Sequence, residues 1–388
     1  MPQSDYIPRK LFEILAKTKK SILLLGPRQV GKSTLMAHLN PTMSINLARE
    51  STYLEFASNT NELEERLAKL QKGTILIDEI QRLPSLLNTV QALLDEKKNQ
   101  FRFLLTGSSA RKLVRGKANL LPGRVHAFHL GPLTCEELNF EIDIKSALAF
   151  GTLPGITTEP DPSEKMLTLK SYAATYLKEE VQAEALTKNI EGFSRFIYVV
   201  AAEATRYLDL SKLSSEAMIP RQSAVRYFEI LEDTLIVKRC DAFAKSTRRR
   251  LVQHPRFFFF DVGVLNGLMS NFIVSLDRIG LLFESFVFNQ LNEMASSHNE
   301  TIRISSYRTE NSAEVDFILE ENNSITAIEV KASKTVSQQD LRGLKSFEQY
   351  IGKPCRSVVL YLGEHQKKID NVEVLPWLDF FKEWAEKL

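Results

Sequence analysis

Residues 26–34 read Gly-Pro-Arg-Gln-Val-Gly-Lys-Ser-Thr, a complete G-x-x-x-x-G-K-[ST] loop. The loop follows the apolar run Ser21-Ile22-Leu23-Leu24-Leu25 and precedes the helix-compatible stretch Thr34-Leu35-Met36-Ala37-His38-Leu39. A phosphate-cradling loop has to link a buried parallel strand to a helix N-terminus, where free N–H groups face the anion. The context therefore predicts an α/β domain with a nucleoside triphosphate site built from Gly26, Pro27, Arg28, Gln29, Val30, Gly31, Lys32, Ser33 and Thr34. Gly26 and Gly31 permit the tight turn. Lys32 is expected to reach the β- and γ-phosphates, and Ser33 to ligate Mg²⁺.

A chain of 388 residues is too long for one ordinary core, and two or three domains are expected. No apolar stretch approaches the ~20 residues that a membrane-spanning helix needs. The N-terminus, Met1-Pro2-Gln3-Ser4-Asp5-Tyr6, lacks the basic-then-apolar pattern of a secretory signal. Cys135, Cys240 and Cys355 are widely spaced, which fits a reducing cytoplasm and argues against a cysteine-based zinc site.

Strands are expected at residues 21–25, 43–47, 73–79 and 101–106, with a fifth at 125–130, alternating with helical segments. That alternation implies a doubly wound, largely parallel sheet over residues 1–150. Gly151-Thr152-Leu153-Pro154-Gly155 and Pro160-Asp161-Pro162 mark a boundary. A mostly helical unit is expected over 151–275, and an α/β unit over 276–388.

Asp78-Glu79 closes the apolar run Thr74-Ile75-Leu76-Ile77. In an α/β sheet these carboxylates emerge beside the phosphate loop. Asp78 is expected to hold the Mg²⁺ shell, and Glu79 to orient and deprotonate the attacking water. Thr106 or Ser108, at the tip of the next strand, is expected to sense the γ-phosphate. A cation beyond Lys32 usually serves that phosphate. Among Arg111, Arg115 and Arg124, the preferred candidate is Arg124, supplied by a neighbouring subunit.

With Ile77-Asp78-Glu79-Ile80-Gln81-Arg82-Leu83-Pro84, Leu105-Thr106-Gly107-Ser108-Ser109 and Gly131-Pro132-Leu133-Thr134-Cys135-Glu136-Glu137-Leu138, the chain resembles the AAA+ family ATPases that carry a C-terminal DUF4143-type domain. The resemblance implies an AAA+ core, Mg-ATP as cofactor and a ring-shaped homo-oligomer, with a hexamer favoured.

The middle segment has helical patterns at 193–204, 210–217 and 221–233, then a strand, a basic stretch and the strand Arg256-Phe257-Phe258-Phe259-Phe260-Asp261. Helix, helix, helix, strand, basic loop, strand is the order of a winged helix. Arg221 and Arg226 on the third helix, with Lys245, Arg248, Arg249 and Arg250 in the wing, are the expected DNA contacts. The competing reading is a basic hairpin used for protein contacts.

Asp316 in one strand and Glu329-x-Lys331 in the next form the PD-(D/E)xK nuclease pattern, with Glu284 on the preceding helix. Strand alternation puts Glu329 and Lys331 on one face. Glu284, Asp316 and Glu329 would bind one or two Mg²⁺ or Mn²⁺ ions, with Lys331 positioning the attacking water. The position before Asp316 holds Val315, where the usual pattern has Pro. A restriction-endonuclease-like domain is therefore expected over 276–388.

The leading expectation is a cytoplasmic, Mg-ATP-hydrolysing protein acting on DNA, with branch migration of four-way (Holliday) junctions as its refinement. The alternatives are an ATP-gated, metal-dependent nuclease and a signalling switch that acts on a protein partner.

Overall fold

β1 (Ser21–Leu25), β2 (Met43–Asn46), β3 (Gly73–Asp78), β4 (Phe101–Gly107) and β5 (Val125–His129) form one sheet in the order β2-β3-β4-β1-β5. Every pair in it is parallel. These features belong to a computed structural model that describes residues 6–97, 100–108, 121, 123–176, 189–243, 254–322 and 324–388. The arrangement explains why β1 is apolar throughout: a parallel strand covered on both faces has no solvent side. Ile22 and Leu24 pack into one core with Leu35 and Met36. Leu23 and Leu25 pack into another with Ile77 and Leu105. Because Leu25 pairs with Gly107 and Ile77 with Leu105, the C-terminal ends of β1, β3 and β4 share one sheet edge.

The middle segment contributes the helices Ile190–Ala202, Leu210–Glu216 and Arg221–Asp233, then β6 (Val237–Ala242) and β7 (Arg256–Phe259). β6 and β7 pair antiparallel, and Tyr207 bridges to Arg256. The expected wing residues Lys245, Arg248, Arg249 and Arg250 lie outside the described residues, as do Arg111 and Arg115.

The sheet does not stop at the boundary expected between 275 and 276. β6 also pairs in parallel with β8 (Arg303–Arg308), through Asp241 with Ser305 and Ala242 with Ser306. β9 (Glu314–Glu321), β10 (Ser324–Lys331), β11 (Arg356–Tyr361), β12 (Lys367–Ile369) and β13 (Val372–Pro376) complete eight strands in the order β12-β13-β11-β10-β9-β8-β6-β7. The middle hairpin and the C-terminal strands are thus one sheet.

The helix Ile279–Ser297 is buried along most of its length and joins this sheet to the first one. Gln290 Oε1 accepts from the Cys135 N–H at 2.6 Å, and the Ser296 hydroxyl donates to the His129 carbonyl at 3.1 Å. Glu136 is bonded by His298 at 2.6 Å and by Lys10 at 2.8 Å. Glu293 pairs with Lys238.

Asp261 fixes the joint between the first domain and the middle segment. It caps the helix Val262–Met269 by accepting from the Val264 N–H at 3.0 Å, and it accepts from the Thr152 N–H at 2.9 Å. A side chain at Gly151 (φ +71°) would place a Cβ 2.1 Å from Asp261 Oδ1, so the approach requires glycine. Burial pushes the Asp261 carboxyl up to about 6 against the pull of its backbone donors. Asp261→Ala leaves two buried N–H groups unpaired and should lower stability by about 1–3 kcal/mol. A group raised in this way contributes stability that is complete below the ordinary carboxyl value near 4 and is lost as pH rises through about 6. The gap in urea-unfolding midpoint between wild type and Asp261→Ala should therefore be wider at pH 5 than at pH 7.

Candidate nucleotide site and the C-terminal acid cluster

The loop after β1 folds onto itself. Gly26 is pressed against Leu130, the residue after β5, where an added Cβ would lie 2.0 Å from the carbonyl oxygen. Gly31 has φ +90° and Gln29 φ +63°, the left-handed conformations that turn the chain back into the helix Lys32–Ala37. Val30 and Pro27 are buried, Arg28 is half-buried, and Gln29, Ser33 and Thr34 are exposed. Lys32 is only 5% exposed, and its ammonium donates to the Gly26 and Pro27 carbonyls at 2.8 and 2.7 Å. The cation expected at the phosphates thus sits inside the curl of the loop.

The acids emerge where the strand register puts them. Asp78 Oδ1 accepts from the Ser33 hydroxyl at 2.7 Å and from the Thr106 hydroxyl. Thr106 Oγ1 in turn accepts from the Glu79 N–H at 3.1 Å. The site therefore draws together Ser33 from the loop, Asp78-Glu79 from β3 and Thr106 from β4. A hydroxyl beside a carboxylate is an oxygen donor set suited to Mg²⁺. Ser33 and Asp78 accordingly fit the metal of Mg-ATP, and the loop backbone with Lys32 fits the phosphates.

Glu79 adopts φ +60° and ψ +45°. A non-glycine residue in that region stores about 1–3 kcal/mol of strain, and the turn swings Glu79 off the strand direction. Its carboxylate accepts from the Gln81 amide, which also donates to the buried Ser108 hydroxyl at 3.0 Å. Ser108 thus meets Glu79 through Gln81.

Two residues that sequence reasoning missed complete the site. One is Gln81, which was legible only as part of the motif after Asp78-Glu79. The other is Arg9, which is 6% exposed. Its guanidinium donates to the Val30 carbonyl at 2.7 Å, the Gly131 carbonyl at 2.9 Å and Glu137 Oε1 at 2.9 Å. Arg9 therefore holds the loop against the 131–138 segment, a role that an isolated Arg early in the sequence does not announce.

Arg124 stands elsewhere. Val125 pairs with Ser21, the first residue of β1, so Arg124 lies at the sheet edge opposite the phosphate loop. It forms a two-pronged bond to Asp95 at 2.7 and 2.9 Å. A cleft of about 700 Å³ at that edge is lined by Lys20, Lys72, Arg102 and Arg124; it is remote from the acids and is not the nucleotide site.

The C-terminal acids do converge, but on a guanidinium. Arg256, from β7, pairs with Glu284 and lies 3.4 Å from Asp316 and 4.0 Å from Glu314. Asp316 Oδ2 accepts from the Val330 N–H at 2.8 Å, and Glu329 pairs with Lys331 at 2.8 Å. Burial, with Asp316 adding to it, pushes Glu284 well above the ordinary carboxylate range although Arg256 pulls the other way. Burial and Asp316 likewise push Glu329 up to about 8. Among the described residues no group of three or more His, Cys, Asp or Glu is arranged to hold a metal ion. The structure does not support the expected Mg²⁺ or Mn²⁺ site at Glu284, Asp316 and Glu329: Arg256 and Lys331 already supply the positive charge there, and with the guanidinium in place the set does not fit a divalent ion.

A family model described as an AAA domain matches residues 18–139, and one described as a domain of unknown function (DUF4143) matches 279–380. A further domain of unknown function (DUF8612) matches 141–273. Residues 18–139 are thus similar to AAA-type ATPase domains, and residues 279–380 to DUF4143 domains. Uncharacterized proteins of Mycobacterium bovis and Mycobacterium tuberculosis are each 25% identical over 363 residues, covering 92% of this chain and 79% of theirs. Among solved structures, a signal-transduction ATPase with a tetratricopeptide repeat sensor from Pyrococcus horikoshii is similar at a TM-score of 0.25 and 13% identity, over 76% of this chain and 48% of that one. NtrX from Brucella abortus, solved with ATP, is similar at 0.26 and 13%, over 57% and 66%. Likeness at this level carries no argument about function. Among the described residues no helix is long and apolar enough to cross a membrane.

The close approach at Gly26 gives a direct test of the site. Gly26→Ala should abolish binding of a fluorescent ATP analogue while leaving the far-ultraviolet circular dichroism unchanged, because the added methyl collides with Leu130 at the loop alone.

Proposed function

We propose that the protein hydrolyses Mg-ATP to drive the remodelling of DNA, with branched DNA such as a four-way junction as the substrate. In this reading Lys32 binds the β- and γ-phosphates, and Ser33 and Asp78 hold the metal. Glu79 orients and deprotonates the attacking water, an in-line displacement at the γ-phosphate. The bound Mg²⁺ supplies charge neutralisation at the transferred phosphoryl group. Glu79 would be released from Gln81 as it takes up the water.

The observation that carries the DNA assignment is the helix Arg221–Asp233. Its buried residues Ala224, Tyr227, Phe228 and Leu231 face the core, while Arg221, Gln222 and Arg226 are exposed. Following the helices Ile190–Ala202 and Leu210–Glu216 and preceding an antiparallel hairpin, it would serve as the recognition helix of a winged helix. The basic residues between β6 and β7 would add sequence-independent phosphate contacts.

The reading includes a homo-oligomeric ring, with a hexamer favoured. Arg124 could then serve only a neighbour's nucleotide, since in its own subunit it lies at the far edge of the sheet. A cytoplasmic setting belongs to the same proposal and accords with the free thiols of Cys135, Cys240 and Cys355. No nuclease step is included, because Arg256 engages the acids that such a step needs.

Junction DNA should stimulate ATP hydrolysis by the intact protein at least severalfold over linear duplex. Equal rates with junction, duplex and no DNA would sink the assignment. Arg221→Ala and Arg226→Ala should each weaken DNA binding and reduce its salt slope by about 1, measured by electrophoretic binding at several salt concentrations.

A further inference from the structure

β7 begins with a charge in a fully buried strand. Arg256 is followed by Phe257, Phe258 and Phe259, all at 1% exposure or less, and is itself 4% exposed. Its Nε donates to the Thr205 carbonyl at 2.7 Å, so the base of the guanidinium is anchored within the middle segment. The outer nitrogens reach across to the C-terminal unit: to Glu284 on the helix Ile279–Ser297, and to Asp316 and Glu314 on β9. Tyr207 donates to Glu314 at 3.1 Å, closing the ring of partners. Glu329 Oε2 is buried and has no hydrogen-bond partner among the described residues.

We propose that this acid cluster is a cation site whose resident cation is Arg256, a guanidinium from the middle segment standing where a divalent ion would otherwise be bound. Buried carboxylates at close quarters need a positive charge to remain buried. A guanidinium offers five N–H donors in a fixed fork and can serve several carboxylates from one position. A divalent ion would need the same carboxylate oxygens at about 2.0–2.6 Å, and both cannot occupy the space. The insertion also pins the β6–β7 hairpin to the C-terminal strands, beside the two-residue pairing of β6 with β8. The DUF4143 acids therefore serve as a receptor for the middle segment.

The site can be read out with Mn²⁺ alone, without nucleotide, by the electron paramagnetic resonance of the free ion. Intact wild-type protein should show no Mn²⁺ site that Asp316→Asn removes. Arg256→Met should gain one, binding at least tenfold more tightly than wild type, and Arg256→Met with Asp316→Asn should lose it again. A second arm reads stability. Arg256→Met should lower the melting temperature, and adding Glu284→Gln, which restores the charge balance, should raise it. Three results overturn the proposal: a wild-type Mn²⁺ site abolished by Asp316→Asn, an Arg256→Met variant that folds and binds no more tightly than wild type, or no recovery of melting temperature in the Arg256→Met, Glu284→Gln protein.

Discussion

One carboxylate oxygen organises the nucleotide site. Asp78 Oδ1 takes hydrogen bonds from Ser33 at the phosphate loop and from Thr106 on β4, so three segments of chain meet on a single atom. Hydrogen bonds to a charged acceptor contribute about 1.5–3 kcal/mol each, enough to fix the relative positions of loop, acid strand and neighbouring strand. The parallel register makes the meeting unavoidable, because it aligns the ends of β1, β3 and β4. The next residue, Glu79, turns left-handed off the end of β3, and Gln81 holds it in that turn.

This part of the molecule was legible in the sequence because its determinants are local. A buried strand, two glycines, a lysine and a serine specify the loop within a few residues, and Asp78-Glu79 closes an apolar run. What was not legible depends on pairs far apart in the chain. Arg9 meets Val30 and Glu137 across 21 and 128 positions of chain. The pairing of β6 with β8 involves two residues of each strand, too short a match for any pattern to announce. The acids at 284, 316 and 329 converge, but beside Arg256 and Lys331, and the acid pattern alone does not announce the guanidinium. The missing piece was the cation ahead of the Phe run, since an Arg opening a fully buried strand has to find carboxylates somewhere. Arg124 illustrates the opposite limit: its place in the sequence suggested the nucleotide, but its strand register puts it at the other edge.

Buried ion pairs recur where the segments of the chain join. Arg9 with Glu137 lies beneath the phosphate loop, and Arg256 with Glu284 and Asp316 joins the middle hairpin to the C-terminal strands. Removing one partner from a buried pair costs about 3–5 kcal/mol, because the other charge is left uncompensated. Such pairs set geometry more than they add stability. The 131–138 segment is the common neighbour. It contacts the loop through Arg9 and the helix Ile279–Ser297 through Gln290, with the His298 that follows bonded to Glu136.

If the loop and these acids turn over ATP as proposed, Glu79 acts on the water and not on binding. Single-turnover hydrolysis by Glu79→Gln, measured beside its affinity for ATP, tests this directly. Wild-type affinity is expected, with hydrolysis slowed at least a hundredfold, in the range expected for loss of a general base. Hydrolysis at the wild-type rate, or a parallel loss of affinity, would contradict it.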